Sequence, residues 1–196
     1  MRPLPRLLAF TDDAICARDD FPIRVAAILS AGSAVAVVVR APAASADLRR
    51  RYLERVRALA RPTEAATIVA GDPALGRLVG VQGVQLEGAG PGPRAARDLL
   101  GPGWIGVAVG SPEDADRAAA EGADYLVADR GPGVDWLRAV VARGTPVFAA
   151  GCLDRDEVSA VAAAGVWGIA VTEAIWTAVD PARAVVELLG ALPNLE

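Results

Sequence analysis

The chain has 196 residues, 53% of them apolar, and a formal net charge of −4, which fits one domain with a sizeable core. A pI near 5.0 without a basic cluster excludes an ordinary nucleic-acid binder, and apolar runs of six to eight residues exclude a bilayer-spanning helix. All 20 basic residues are arginine, so a Schiff-base or P-loop lysine, a histidine base and histidine metal ligands are excluded as well.

In chain order, Leu7–Thr11 reads as a strand and Pro22–Ala31 as a helix. Val35–Arg40 is a continuous, β-branched run, the pattern of a strand buried on both faces. Asp47–Arg61 reads as an amphipathic helix with Leu48, Tyr52, Val56 and Leu59 on its apolar side. Thr67–Ala70 and Gly83–Glu87 are short strands, followed by helices at Pro73–Val79 and Pro93–Leu100. Trp104–Val109 is the fifth strand. Ser111, Pro112, Glu113 and Asp114 then form a helix start, with a capping hydroxyl, proline at the first turn and acids near the positive end of the helix dipole. That helix ends at Gly122. Tyr125–Ala128, Pro146–Ala150 and Gly168–Val171 complete the strands. Helices at Val134–Arg143, from Asp154 to Gly165, and from Asp180-Pro181 onward complete the pairs.

Eight strand–helix pairs with short links require parallel strands. The expected fold is α/β, a single-domain (β/α)₈ TIM barrel over residues 1–196. The rival is an open doubly wound sheet, whose edge strands would be less apolar. Such barrels typically run to about 250 residues, so the loops must be short. Met1–Arg6 lacks the apolar stretch of a signal peptide, and a cytoplasmic protein is expected. Cys16 and Cys152 stand far apart with no metal-binding spacing and read as reduced apolar side chains.

Several segments in order resemble the thiamine phosphate synthase/TenI family. They are Leu7–Asp13, Gly83–Glu87, Ile105–Ser111, Ala118–Leu126, Pro146–Cys152 and Gly168–Ile175. The resemblance implies a barrel that joins a pyrimidine diphosphate to a thiazole phosphate with Mg²⁺, or isomerises a thiazole phosphate. It also implies a homodimer, by analogy with related barrels.

The polar positions of that family are largely replaced. Where the second strand normally ends Gln-Leu-Arg-x-Lys, this chain has Val38-Val39-Arg40-Ala41-Pro42, and Arg40 alone survives. The Asn-Asp after the third strand falls on Ala70 and Gly71, with Asp72 one residue on. His-Leu-Gly-Gln after the fourth becomes Gln85-Leu86-Glu87-Gly88, and the serine of the fifth becomes Ala108. The diphosphate-gripping loop after the sixth is shortened to Asp129-Arg130-Gly131-Pro132-Gly133. Gly-Gly after the seventh becomes Gly151-Cys152, and Val-Ser after the eighth becomes Thr172-Glu173.

Barrel enzymes place function at the C-terminal ends of the strands. The ligand-binding candidates are therefore Arg40, Asp72, Glu87, Asp129, Arg130, Gly151, Cys152, Thr172 and Glu173, with Asp12 and Asp72 as metal candidates. Asp12 and Asp13 read equally as turn caps, and Arg40 as a partner of Asp12 or Asp72. Trp176 reads as a stacking residue or as packing of a short extra helix. Three functions follow: a divergent small-molecule enzyme or binder of thiamine-related chemistry, a non-catalytic partner-binding paralogue, or a genuine synthase with relocated groups.

Overall fold

The computed structural model describes residues 3–88, 90–129, 133–151 and 154–193. Strands β1 (Leu7–Phe10), β2 (Val35–Val39), β3 (Ala66–Ala70), β4 (Gly83–Leu86), β5 (Trp104–Val109), β6 (Tyr125–Asp129), β7 (Val147–Ala150) and β8 (Gly168–Val171) run parallel in sequence order. β1 pairs with β2 through Leu8↔Ala36 and with β8 through Leu8↔Ala170, which closes the cylinder. The open-sheet alternative is thereby excluded.

The helices are α1 (Asp13–Cys16), α2 (Phe21–Leu29), α3 (Ala46–Ala60), α4 (Pro73–Val79), α5 (Pro93–Leu100), α6 (Pro112–Ala120), α7 (Val134–Val141), α8 (Arg155–Ala162), α9 (Glu173–Trp176) and α10 (Pro181–Leu189). Several begin where their sequence dictates. Ser111, Asp154 and Asp180 accept the backbone N–H three residues on, at 3.0, 2.8 and 3.0 Å. Among the described residues, no helix is long and apolar enough to cross a membrane.

The buried face of α3 differs from the expectation. Leu53, Val56 and Ala60 are buried, Tyr52 and Leu59 flank them, and Leu48 is exposed. The buried stripe recurs at Leu53, Val56 and Ala60, three and four residues apart as a single helix face requires, whereas Leu48 lies in the first turn of the helix.

Period-two alternation sorts each strand between two cores. On β2, Val35, Val37 and Val39 face the helices, while Ala36 and Val38 face the barrel axis. Both sets are buried, which accounts for the unbroken apolar run. The interior is filled by large residues against small ones. Tyr125 and Phe148 meet edge to face at 5.3 Å. Gly106 makes room for the Tyr125 ring, since a Cβ there would lie 2.1 Å from the ring. Trp104 and Trp167 fill the N-terminal end, where Trp167 Nε1 donates to the Pro5 carbonyl at 2.7 Å. Towards the C-terminal ends the interior side chains shrink to Ala108, Ala150 and Ala170, which leaves space at that mouth.

Candidate functional site at the barrel mouth

That space is a cavity of about 510 Å³. Every strand except β2 and β3 contributes to it, together with the residues that follow strand ends, and its lining is Phe10, Arg40, Gln85, Glu87, Ala108, Val127, Asp129, Ala150, Gly151, Ala170, Thr172 and Glu173. Six of the expected ligand-binding positions are therefore brought together: Arg40, Glu87, Asp129, Gly151, Thr172 and Glu173. Arg130 and Cys152 lie outside the described residues. A smaller hollow of about 320 Å³ lies beside it, lined by Gly88, Gly90, Pro91, Gly92 and residues of α6, with Glu87 and Ala108 bordering both.

Asp12 and Asp72 do not line the mouth cavity. Asp12 caps α1 by accepting from Ile15 N at 2.6 Å. Asp72 caps α4 by accepting from Leu75 N at 2.9 Å, with Pro73 at the first helical turn. Asp13 accepts from the backbone of Ala43 and Ala44, each at 3.1 Å, and ties the loop after β2 to α1. No cluster of three His, Cys, Asp or Glu suited to a metal occurs among the described residues. The two metal candidates each commit a carboxylate oxygen to a helix cap and neither lines the cavity, so they are not placed to supply there the one or two carboxylates that usually hold a Mg²⁺ ion beside substrate phosphates and waters.

Arg40 pairs with neither Asp12 nor Asp72, the partners expected from sequence. Its Nε lies 2.9 Å from Glu87 Oε2 across the mouth. Both side chains are partly exposed, so the pair adds little stability, but it engages the one guanidinium among the described residues that line the cavity. Among the described residues lining the cavity, Arg40 is set against Glu87, Asp129 and Glu173.

Thr11 holds Arg40 in place. Its buried hydroxyl accepts from Arg40 N at 2.9 Å and donates to Arg40 O at 3.0 Å. Cys16 Sγ in turn donates to Thr11 Oγ1 at 3.3 Å. This clamp was not anticipated; a lone threonine at the end of an apolar strand was its signal. Gly151, at φ +82°, ends β7 in the left-handed region that a side chain would strain, and its N–H donates to Ala170 O at 3.2 Å. Trp176 is buried and stacks on Phe21 at 5.7 Å, so it packs α9 and leaves the cavity to other residues.

Burial pushes the Cys16 thiol up to about 11; Thr11 opposes this, while Asp12 and Asp13 add to it. Burial also pushes the Tyr125 phenol well above its ordinary value. The folded state therefore holds these protons more tightly than the unfolded chain. Their stabilisation is complete below the unfolded values and is lost as pH climbs through the folded ones. The melting temperature is expected to start falling above about pH 9, with Cys16 accounting for about 2–3 kcal/mol by pH 11. Thermal melts across this range check it, and Cys16→Ala should flatten the fall; a constant melting temperature to pH 11 would refute it.

Comparison with known proteins agrees with the geometry. The sequence profile of the family described as thiamine monophosphate synthase matches residues 7–175. A thiamine-phosphate synthase of Methanoregula boonei is 34% identical over 165 residues, covering 77% of this chain and 76% of the relative. One from Herpetosiphon aurantiacus is 32% identical over 197 residues, covering 94% and 95%. The solved thiamine phosphate pyrophosphorylase of Pyrococcus furiosus superposes with a TM-score of 0.85 at 29% identity, covering 95% of this chain and 94% of that one. With this match spanning all eight strands of the closed barrel, the chain belongs to the thiamine monophosphate synthase family.

Proposed function

We propose that the barrel mouth binds a small thiamine-related molecule, and that the coupling of a pyrimidine diphosphate to a thiazole phosphate is weak or absent in this chain. The observation that carries this reading is the lining of the cavity, where the described residues include Glu87, Asp129 and Glu173 beside an Arg40 already paired with Glu87. A diphosphate leaving group needs cations where its charge develops. The chain has no lysine, and its two metal candidates cap helices. A carboxylate about 4 Å from a phosphate charge costs on the order of 4 kcal/mol at an effective dielectric of about 20. Glu173 sits where the backbone amides after β8 would otherwise receive a phosphate. An open mouth, as opposed to one packed with apolar side chains, favours ligand binding over a purely partner-docking role.

A thermal-shift screen over thiazole phosphate, pyrimidine phosphates, thiamine phosphate and divalent metals tests the binding claim. A mouth ligand at about 100 times its Kd adds about 2.7 kcal/mol. For a chain of this length that is a rise of about 5–10 °C. A flat response to every compound would remove the reading.

A further inference from the structure

A hollow of about 120 Å³ opens at the end of the barrel opposite the mouth, where the chain enters β3 and β4. It is lined by Arg57, Ala60, Arg61, Ala65 and Gln82. Arg57 lies in the last turn of α3 and Arg61 is its C-cap, four residues on, so the two side chains share one face. Arg57 is anchored there. Its Nε donates to the Gly80 carbonyl at 2.9 Å, and its guanidinium packs on Gly80, where a Cβ would lie 3.2 Å from Nη2. Gln82 is oriented as well: its Oε1 accepts from Thr67 N at 2.8 Å, which leaves its Nε2, a double donor, for other partners. None of the described residues lining the hollow is acidic. Elsewhere on α3 the arginines meet carboxylates, Arg50 bonding Asp47 and Glu54, and Arg51 bonding Asp47. Among the described residues, neither Arg57 nor Arg61 forms such a pair.

Arginine near a helix C-terminus has a simpler use, which is to bond end carbonyls and answer the dipole. The Arg57 Nε bond to Gly80 is that use. It leaves the Nη groups of Arg57, the guanidinium of Arg61 and the Gln82 Nε2 as donors around one hollow, whose side-chain acceptor, Gln82 Oε1, is already spent on Thr67 N. We infer that this hollow is an anion site that receives a phosphoryl group, as free phosphate or as the end of a small phosphate monoester. Two guanidiniums outweigh the roughly half negative charge at the C-terminal end of α3, and their planar forks match phosphate oxygens. Pockets that enclose a whole ligand run to roughly 300–1,000 Å³. At about 120 Å³ this one takes the charged group and leaves any ester substituent in solvent. The mouth differs in charge, since Glu87, Asp129 and Glu173 line it along with Arg40. The inference is independent of the reading of the mouth.

Calorimetric titration with inorganic phosphate and with methyl phosphate, at about pH 8 and constant ionic strength, tests this. The native protein should bind inorganic phosphate saturably, with a Kd of about 1 mM or tighter. Similar binding of methyl phosphate supports a site for a monoester end, and its exclusion supports a site for the free ion. Arg61→Gln removes a charged donor from an exposed position. It should weaken binding by about tenfold to a hundredfold, with the melting temperature in phosphate-free buffer unchanged. Arg57→Gln gives a second reading of the same loss if Arg61→Gln does not fold. Three results would each overturn the inference: saturable binding of neither anion, equal affinity in the native and Arg61→Gln proteins, or affinity lost in Arg40→Gln and kept in Arg61→Gln. The last would put the anion at the mouth.

Discussion

Gly106→Ala is expected to destabilise the protein by about 3 kcal/mol. In a chain of this length that lowers the melting temperature by about 6–12 °C. The added methyl would lie 2.1 Å from Tyr125 Cζ and 2.4 Å from its hydroxyl. Tyr125 cannot swing aside, because it is fully buried and packed edge to face on Phe148. Close-packed interiors absorb such an insertion by shifting backbone or forcing poor rotamers. Trimming the obstacle should restore much of the loss, so Gly106→Ala with Tyr125→Leu should melt above Gly106→Ala alone. Gly168→Ala makes a useful contrast. Its methyl would lie 2.2 Å from the Arg6 carbonyl oxygen, a backbone atom that no side-chain substitution removes. Calorimetric melts of the four proteins check the set; a Gly106→Ala melt within about 2 °C of native would contradict the packing described.

Thr11→Val should act on both stability and the site. The substitution keeps shape but leaves Arg40 N and O without the hydroxyl that bonds each of them, and Cys16 without its acceptor. Stranding buried polar groups in this way costs about 1–3 kcal/mol each, softened where the backbone can reach water. A loss of about 2–4 kcal/mol in urea denaturation is expected. Arg40 would also lose its fixed approach to Glu87, so any ligand of the mouth should bind more weakly. Thr11→Ser retains the hydroxyl and should recover most of both effects. Equal behaviour of the valine and serine variants would show that the hydroxyl is not what matters.

The barrel was legible because parallel strands buried on both faces write themselves as unbroken β-branched runs such as Val35–Val39. Helix starts were legible where a capping residue preceded proline or acids, as at Ser111. The four residues of α1 were not, since a single turn carries no periodicity. Counting strand ends points to Arg40, Glu87, Asp129, Gly151, Thr172 and Glu173, and these line the cavity at the mouth. Asp72 lies outside that lining and caps α4, and Asp72-Pro73 carries the same capping signal as Asp180-Pro181. The partner of Arg40 was hidden for another reason. Glu87 is 47 residues away, and the pairing of β2 and β4 on either side of β3 brings their ends near each other. Gln85 was passed over as a replaced family histidine; its inward position follows from sharing the strand face of Gly83, two residues before it.

Among the described residues, the mouth of this family scaffold is lined by more carboxylate than cation. The direct measurement is turnover by the purified protein given the pyrimidine diphosphate, the thiazole phosphate and Mg²⁺. The account predicts product formation far below about 1 s⁻¹, the low end of ordinary enzymes. Turnover within that ordinary range would contradict it, and would mean that the negative charge of the leaving group is met by groups other than those described at the mouth.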